Sequence, residues 1–366
     1  MEIDINNTST GLRERSKRIE WIDTAKFIGI YLVILAHLPL AGILEGTNYL
    51  VCCIYTFHMP LFFFLSGYVE KKRPLKETFG KCVKRLLLPY VCFYFISYLK
   101  WCFVPFLRYP DGFSLSIQDL FLKPLAGLLL GCGFSTDYSY MLNAPLWFLI
   151  ALFVCRIINS ITSDKSVIIK IITCLAGVAV SIYLWKTDRF LPFSIGPAFM
   201  AMPFFYVANI IREKIKFSFN KMPNYINIIC FVLGLAAVLL IGYFNGAADM
   251  NNIKFGKNPL LFYIGGFSGI LMIISSSTLM PPLFAMGKYL AINTLTILAF
   301  HFDINFCIII VNNVFKRHVL HLTPVNGPYL STIEVIITTV FCLLLCFIVC
   351  KIKDFILKFL SLTINK

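Results

Sequence analysis

The sequence predicts an all-α fold, a polytopic transmembrane helical bundle, and two observations carry this prediction. Hydrophobic residues make up 58% of the 366 positions and charged residues 14%, whereas soluble domains average about 45–50% and about 25%. Apolar stretches of transmembrane length also recur from one end of the chain to the other. A soluble fold of this composition would have too few polar side chains to cover its surface.

Ten of the apolar stretches are long enough to cross a bilayer, which takes about 17–25 residues in a helix. An eleventh stretch, at 117–131, is shorter and is interrupted by Lys123, Pro124 and several glycines. We therefore predict about ten spans, with one re-entrant or interfacial segment at 117–131. The predicted spans are 25–44, 50–69, 85–107, 145–162, 167–185, 191–211, 225–244, 259–279, 288–314 and 330–350.

The distribution of basic residues orients these spans. The loop at 70–85 carries seven Lys and Arg and the loop at 212–221 carries four, and basic loops are typically cytoplasmic. An even number of spans must separate two cytoplasmic loops, which leaves 117–131 as a segment that does not cross. We expect a multi-pass protein of the plasma (inner) membrane with both termini in the cytoplasm. The predicted divisions are a basic tail at 1–20, a membrane domain at 21–350 and a second tail at 351–366.

The net charge of +15 does not indicate a nucleic-acid partner, because the basic residues lie between apolar spans. The thirteen cysteines are scattered mostly through apolar segments, without a CxxC pair or a Cys/His ligand spacing, so we expect neither a metal site nor a disulfide. The sequence also lacks a Walker A motif, an HExxH pair and a GxSxG elbow. Any chemistry must therefore take place among the helices, within the lipid bilayer.

Ionisable side chains within the predicted spans mark candidate sites, because each costs about 2.5–3.5 kcal/mol to insert. Lys26 and His37 are eleven residues apart in the first span, so at about 100° per residue they share one helix face, roughly 16 Å apart. Asp23 lies one turn before Lys26 and can pair with it. The alternatives are a membrane-anchoring role for Lys26 and a purely structural hydrogen bond for His37.

Two further spans carry a histidine. His58 precedes Pro60, whose missing N–H frees a backbone carbonyl nearby, and His301 lies between Asn293 and Asp303 in the ninth span. Imidazole takes and gives protons near neutral pH, so histidines in apolar helices favour acid–base chemistry or proton transfer. The alternative for each is a histidine that packs and bonds to the backbone.

Four blocks of this sequence resemble the integral-membrane acyltransferase-3 family, and most closely its fucose-4-O-acetylase-like branch. A fifth and weaker block runs from Lys84-Arg85 to Pro89-Tyr90, and the similarity in number and length of spans extends from about residue 18 to 350. The four blocks are Trp21-Ile22-Asp23 through Lys26 to His37, Phe57-His58-Met59-Pro60 through Ser66-Gly67, Pro145-Leu146-Trp147-Phe148-Leu149, and Asn293 through His301.

This resemblance implies O-acylation of a sugar. The donor would be acetyl-CoA or a similar acyl-CoA from the cytoplasm, and the acceptor a hydroxyl of a sugar or cell-envelope glycan on the far side. The resemblance also implies that His37 is the essential histidine. The family commonly has an Arg where Lys26 stands, a departure that keeps the charge and loses the two-pronged hydrogen bonding of a guanidinium.

The candidate catalytic residues are the three histidines. His37 is the candidate general base on the acceptor hydroxyl, and His58 and His301 are candidates for oxyanion support or a second proton transfer. An acyl-histidine intermediate is the other route. The basic loop at 70–85 would attract the anionic CoA. The candidate substrate- and donor-binding residues are Asp23, Lys26, Lys84, Arg85, Tyr90, Trp147, Asn293 and Asp303.

Two other functions fit the same polar residues. A proton-coupled secondary transporter of a small polar or glycan substrate also needs ionisable groups among its helices, although the hydropathy pattern shows no inverted repeat. A scaffold subunit of an envelope complex would use the histidines only structurally. The sequence does not fix the acceptor glycan, the acyl chain length or the oligomeric state.

Overall fold

The apolar stretches of the sequence fold into helices. Within the described part of the chain no β-strand is present; isolated bridge positions occur, among them the antiparallel bridge between Asp249 and Lys254. The predicted all-α fold is confirmed. The computed structural model describes residues 19–38, 49–108, 116–133, 139, 141–318 and 332–364.

Short helical turns adjoin some of the helices. A π-helical turn, Val83–Leu87, joins the third and fourth, and another, Gln118–Leu122, precedes the fifth. In chain order the helices are α1 (Glu20–Ala36), α2 (Tyr49–Val69), α3 (Leu75–Cys82), α4 (Leu88–Arg108), α5 (Lys123–Leu130), α6 (Trp147–Thr162), α7 (Val167–Thr187), α8 (Ile195–Ile210), α9 (Asn224–Asn245), α10 (Pro259–Leu279), α11 (Ala285–Ile292), α12 (Thr294–His318) and α13 (Thr332–Ile364).

Eight helical segments among the described residues are long and apolar enough to cross a membrane, and they correspond to eight of the ten predicted spans. The other two predicted spans correspond to α1, which has 17 residues, and to α12, which carries polar groups around His301. The second π-helical turn and α5 have five and eight residues. Together they reach about 20 Å, less than the apolar core of about 30 Å, as expected for a re-entrant or interfacial segment. The protein is an integral membrane protein.

Two predicted span boundaries near the N-terminus differ from the observed ones. Helix α1 begins at Glu20 rather than at 25 because Glu20 and Asp23 favour the positive end of a helix. It ends at Ala36, and positions 39–44 of the predicted span lie outside the described residues. The span predicted to begin at 85 is continued upstream by the first π-helical turn and α3. Of the predicted tail at 1–20, only the last two residues are described.

Two boundaries near the C-terminus also differ. The span predicted at 288–314 is divided at Asn293, whose side-chain amide donates to the carbonyl of Tyr289 at 3.0 Å and competes with helix continuation. Helix α13 continues past 350 through most of the predicted tail. The extension is held because Tyr289 donates to Asp354 at 2.6 Å and Lys353 to Asn293 at 2.5 Å. Positions 330 and 331 of the last span, and 365 and 366 of the tail, lie outside the described residues.

Helix α2 lies in the middle of the bundle, packed against α1, α8, α9 and α10. Glycine permits this contact: a Cβ at Gly67 would lie 2.2 Å from the carbonyl oxygen of Phe205 in α8. Helices in a membrane associate through such close backbone approach, because lipid offers no hydrophobic driving force between them. The central position of α2 fixes the place of His58 relative to the surrounding helices.

The bundle has two ends, named here by one residue at each. The Trp21 end contains the start of α1 and the end of α2, where the rings of Trp21 and Tyr68 are 5.2 Å apart. It also contains the loop after α8, where the Tyr68 hydroxyl donates to the carbonyl of Phe217 at 3.1 Å. The Asp249 end contains the end of α1 and the loop 246–258 between α9 and α10.

We predict that Gly67→Ala lowers the thermal stability of the protein in detergent, because the new methyl group collides with backbone that cannot move aside. Overpacking of this kind typically costs about 1–3 kcal/mol. Gly80→Ala is the matched control: it lies in α3 with nothing within 4 Å of the added Cβ, and Gly to Ala within a helix stabilises by up to about 1 kcal/mol. Equal melting temperatures for the two variants would contradict the proposed contact of α2 with α8.

Candidate active site

Two of the predicted catalytic residues, His37 and His58, line one cavity of about 330 Å³ near the Asp249 end. His37 directly follows the last residue of α1, and His58 lies within α2, which continues through Pro60. The third, His301 in α12, is fully buried beside His37. The ring centroids of His37 and His301 are 5.0 Å apart, and His301 Nε2 lies 3.4 Å from His37 Nδ1. Three helices thus bring three predicted residues together.

A backbone carbonyl of its own helix orients each histidine. Nδ1 of His37 lies 2.7 Å from the carbonyl oxygen of Val33, and Nδ1 of His58 lies 2.9 Å from that of Ile54. His301 is held in the same way, 3.0 Å from the carbonyl four residues earlier. A carbonyl oxygen only accepts, so Nδ1 must carry the proton of each neutral ring. Nε2 is then left with the lone pair of a base.

The contact between His37 and His301 gives the two rings different roles. Nε2 of His301 accepts from the Nδ1–H of His37, which it shares with the carbonyl of Val33. The Nε2 lone pair of His301 is therefore directed at His37. When His37 takes up a proton at Nε2, the resulting imidazolium donates from Nδ1 to two acceptors, and such charge-assisted bonds are stronger than neutral ones. This geometry suits His37 as the base and His301 as the group that orients it.

Two aromatic side chains complete the helical wall of the cavity. Tyr55 lies between the cavity histidines, with ring centroids 6.1 Å from His37 and 4.8 Å from His58. Trp147, a predicted site residue, also lines the cavity and packs against Phe63 at 6.2 Å. Tyr55 and Trp147 bring an O–H and an N–H donor to the cavity. Nothing in the sequence distinguishes Tyr55 from the other tyrosines of apolar helices.

A loop forms the remaining wall of the cavity, and no sequence motif identifies this loop as part of a site. Asp249, Asn251 and Asn252 line it, and the carboxylate of Asp249 interacts electrostatically with His37. Asp249 accepts from the backbone N–H of Asn251 at 3.0 Å and from the Asn252 amide at 2.6 Å. The Asn251 amide donates to the carbonyl of Gly133 at 2.9 Å. Asp and Asn are common in surface turns, so their presence at 249–252 carries no functional signal in the sequence.

A row of cavities connects His37 to the Trp21 end. We call the cavity lined by His37 and His58 the histidine cavity. A smaller cavity of about 150 Å³ shares Met59 and Leu298 with it and reaches Ser66 and Lys26. Lys26 also lines the next cavity, of about 490 Å³, which shares Asp23 with a fourth, of about 780 Å³, at the Trp21 end. The predicted residues Asp23, Lys26 and His37 therefore line one row of neighbouring cavities.

The cavities at the Trp21 end form a wide mouth with several basic residues. Lys71, Arg212 and Lys288 line it and are exposed, and the guanidinium of Arg212 lies 5.3 Å from the centre of the Tyr68 ring. Lys72 lines it too, but pairs with Asp164.

The ionic contacts of the mouth decide which charges act on a ligand. The ammonium of Lys72 hydrogen-bonds to Asp164 and lowers the pKa of that carboxyl below its ordinary value, so the charge of Lys72 is largely balanced. Glu70, a buried acid of the mouth, is paired with Arg73 at 3.1 Å and with Arg156 at 3.0 Å. Other acids also line the mouth: Glu20, Asp23 and Glu213. The exposed basic side chains of the mouth are thus the ones placed to meet an anionic ligand.

The remaining predicted binding residues lie elsewhere, each in a different environment. Tyr90 is buried and donates to the carbonyl of Leu128 in α5 at 2.8 Å. Asn293 accepts from Lys353, as described above, and Asp303 pairs with Lys100 of α4. Lys84 and Arg85 are exposed on the first π-helical turn and do not line the four cavities. Contact of these residues with a substrate stays a prediction.

Comparison with known proteins identifies the family. Residues 19–351, most of the chain, match the acyltransferase domain of the acyltransferase-3 family. The chain belongs to this family of acyltransferases. It is also similar to the nodulation protein NolL of Sinorhizobium fredii, with 25% identity over 280 residues that cover 72% of this chain and 69% of that protein. No solved structure matches. Neither match singles out the fucose-4-O-acetylase-like branch.

We predict that His301→Ala lowers kcat for acyl transfer on the order of tenfold while KM for the acyl donor changes little, because the lost acceptor of His37 is worth about one charge-assisted hydrogen bond. His301→Gln supplies a carbonyl that can accept from His37 Nδ1, so it should recover part of the loss. Steady-state kinetics per folded molecule, with melting temperature as the control, checks this. Equal kcat values for the two variants would show that His301 only fills space.

Proposed function

We propose that this protein is a membrane O-acyltransferase, an O-acetyltransferase that moves an acetyl group from cytoplasmic acetyl-CoA to a hydroxyl of a sugar or cell-envelope glycan. The observation that carries the proposal is the position of His37. Its Nε2 is available as a base, its Nδ1 is held by Val33 and His301, and its cavity shares Met59 and Leu298 with the small cavity that reaches Lys26. A donor and an acceptor can therefore meet at His37 from opposite ends.

The row of cavities suits an acyl-CoA donor. The phosphates of CoA are anionic and would bind at the mouth near Arg212 and Lys288, with Lys26 deeper inside. Lys26 and His37 are roughly 16 Å apart along the α1 axis, a distance that the slender pantetheine arm can bridge. The thioester would then lie beside Met59 and Leu298, next to the histidines. In this proposal the Trp21 end, with its basic loops, faces the cytoplasm.

The transfer is a direct displacement at the thioester. The acceptor oxygen attacks the carbonyl carbon while His37 Nε2 takes the hydroxyl proton. The tetrahedral intermediate collapses, the C–S bond breaks, and the CoA sulfur leaves with the proton that His37 returns. The developing oxyanion needs hydrogen-bond donors, which Tyr55 and Trp147 can supply. His58 in its neutral form offers an acceptor at Nε2, so it suits orientation of the acceptor hydroxyl better than oxyanion support.

We predict that His37→Gln lowers acyl transfer roughly 10²-fold or more, the scale of a lost general base, and leaves a folded protein. Gln keeps a hydrogen-bonding side chain and cannot act as a base near neutral pH. The matched control is His321→Gln, which the sequence places outside the spans. Activity is measured per folded molecule, with the size-exclusion profile and melting temperature compared. Near-normal turnover by His37→Gln would move the base to His58.

Radiolabelled acetyl-CoA separates this function from its alternatives. We expect purified protein in detergent to transfer the label to a glycan acceptor or, more slowly, to water, and inside-out vesicles to use external acetyl-CoA. Substrate counterflow in vesicles without any turnover would instead indicate a transporter. A label that stays covalently on the protein would indicate an acyl-histidine intermediate. Mass spectrometry of envelope glycans with and without the gene would show which acetyl groups depend on it.

We predict that Arg212→Gln together with Lys288→Gln raises KM for acetyl-CoA about tenfold with little change in kcat, because phosphate contacts far from the thioester bind ground state and transition state alike. Lys84→Gln with Arg85→Gln is the comparison pair: it removes the same charge from residues outside the cavities. Its effect should be smaller and should vanish at high salt, since it acts through long-range attraction. A larger KM effect from the comparison pair would place the CoA phosphates at the first π-helical turn.

A further inference from the structure

A second cavity at the Asp249 end adjoins the histidine cavity. Its volume is about 420 Å³, within the range of about 300–1,000 Å³ that is usual for small-molecule sites. Asn252 lines both cavities, so the two cavities are neighbours. We call it the Trp185 cavity; its lining includes Trp185, Asp188 and Arg189 from the end of α7 and Asn252, Lys254 and Lys257 from the loop 246–258.

The Trp185 cavity carries excess positive charge. Arg189, Lys254 and Lys257 are all exposed, and they face the single carboxylate of Asp188 in the lining. The cavity lies at the end opposite the basic loop at 70–85, and Lys and Arg concentrate on the cytoplasmic side of membrane proteins. The preference of basic residues for the cytoplasmic side therefore does not explain the three basic residues at this end.

An aromatic ring forms one wall of the cavity. Trp185 is half-buried and packs edge-on against Phe255 at a centroid distance of 5.6 Å, which fixes the orientation of the indole. An aromatic ring with an apolar face and a polar N–H suits a ligand that is itself part apolar and part polar. A sugar ring has C–H groups for the aromatic face and hydroxyls for the Asn, Lys and Arg side chains around it.

The loop that carries Asn252, Lys254 and Lys257 is held rigidly. Its base is tied by Asn245, whose amide donates to the carbonyl of Phe255 at 2.7 Å and whose Oδ1 accepts from the N–H of Asn258 at 2.7 Å. Two backbone hydrogen bonds of 2.8 Å join Asp249 and Lys254 across the loop. Residues on a fixed backbone lose little entropy on binding, which favours affinity and selectivity.

We propose that the Trp185 cavity is the acceptor subsite and that it selects a glycan with an anionic group, a carboxylate or a phosphate, beside the sugar that is acylated. Arg189 and Lys257 bind the anion, Trp185 packs on the sugar ring, and Asn252 stands where the chain of the glycan turns towards His37. This inference rests on the proposed function. The chemistry shared by a uronic acid and a glycosyl phosphate is the anion next to a hydroxyl-rich ring.

The test is equilibrium binding to the full-length protein in lipid nanodiscs, measured by calorimetry. Two matched pairs of probes separate the sources of the anion: trigalacturonate with its carboxyl-reduced counterpart, and glucose 1-phosphate with glucose. The charge variant is Arg189→Gln combined with Lys257→Gln, both exposed, so folding is not at stake. The control is Lys186→Gln, an exposed basic residue of α7 that is not part of the cavity lining.

The wild-type protein should bind the anionic member of at least one pair on the order of tenfold more tightly than the neutral member. The charge variant should lose this preference, Lys186→Gln should keep it, and salt should weaken it. Preference for trigalacturonate alone assigns a carboxylate, and preference for glucose 1-phosphate alone assigns a phosphate. Equal binding within both pairs, or a preference that survives in the charge variant, overturns the proposal.

Acyl transfer by the wild-type protein, measured separately with radiolabelled acetyl-CoA, distinguishes failure of the subsite from failure of the proposed function. Transfer without any preference for an anionic glycan would leave an acyltransferase whose acceptor binds elsewhere. Binding of an anionic glycan without transfer or hydrolysis would overturn the acyltransferase function, and the cavity would no longer be an acceptor subsite.

Discussion

The hydrogen bond from His37 Nδ1 to the carbonyl of Val33 is the interaction on which the rest of the site depends. A polar group in an apolar interior must be paired, and the last carbonyls of a helix have no N–H of their own to accept. Because α1 ends at Ala36, the carbonyl of Val33 accepts both from the backbone N–H of His37, at 3.3 Å, and from its ring Nδ1, at 2.7 Å. The ring hydrogen bond fixes the tautomer and leaves Nε2 directed away from the backbone.

The other parts of the site follow from the place where α1 ends. The end of the helix sets the depth of His37, and α12 brings His301 against the same nitrogen at 3.4 Å. Helix α2 contributes His58 to the histidine cavity, and Met59 to that cavity and to the narrow one beyond it. An apolar constriction beside a base excludes water and lowers the local dielectric, which strengthens each electrostatic contact near the reacting carbonyl.

Hydropathy predicts the spans well because a segment crosses a bilayer only if it is long enough and apolar enough. The shared face of Lys26 and His37 also follows from helical periodicity, and the structure has both facing the row of cavities. The contact of His37 with His301, 264 residues away, has no local signal. The end of α1 has no local signal either. It depends on the polar residues at the start of the helix and on the hydrogen bonds that its last carbonyls can accept.

The rule that polar groups within spans mark a site selects too many residues. Asp303 pairs with Lys100, and Asn293 accepts from Lys353. Such pairs offset the free-energy cost of placing a polar side chain in the membrane. Tyr90 is satisfied by a carbonyl of α5. The rule also misses residues on loops, since Asp249 and Asn252 enter the cavity from a segment whose composition is that of an ordinary turn. Only the folded arrangement separates a satisfied polar group from one that faces a cavity.

The charges at the two ends suit the two anionic substrates of the proposed reaction, which would share one base. Exposed basic side chains line the mouth and the Trp185 cavity, with acidic side chains beside them, whereas the histidine cavity is lined by the carboxylate of Asp249. This carboxylate opposes the entry of an anion. An anionic group of either substrate is therefore held away from the base, at the end where cations lie. The neutral thioester and a neutral hydroxyl are the parts that can enter, and these are the two groups that the proposed reaction joins.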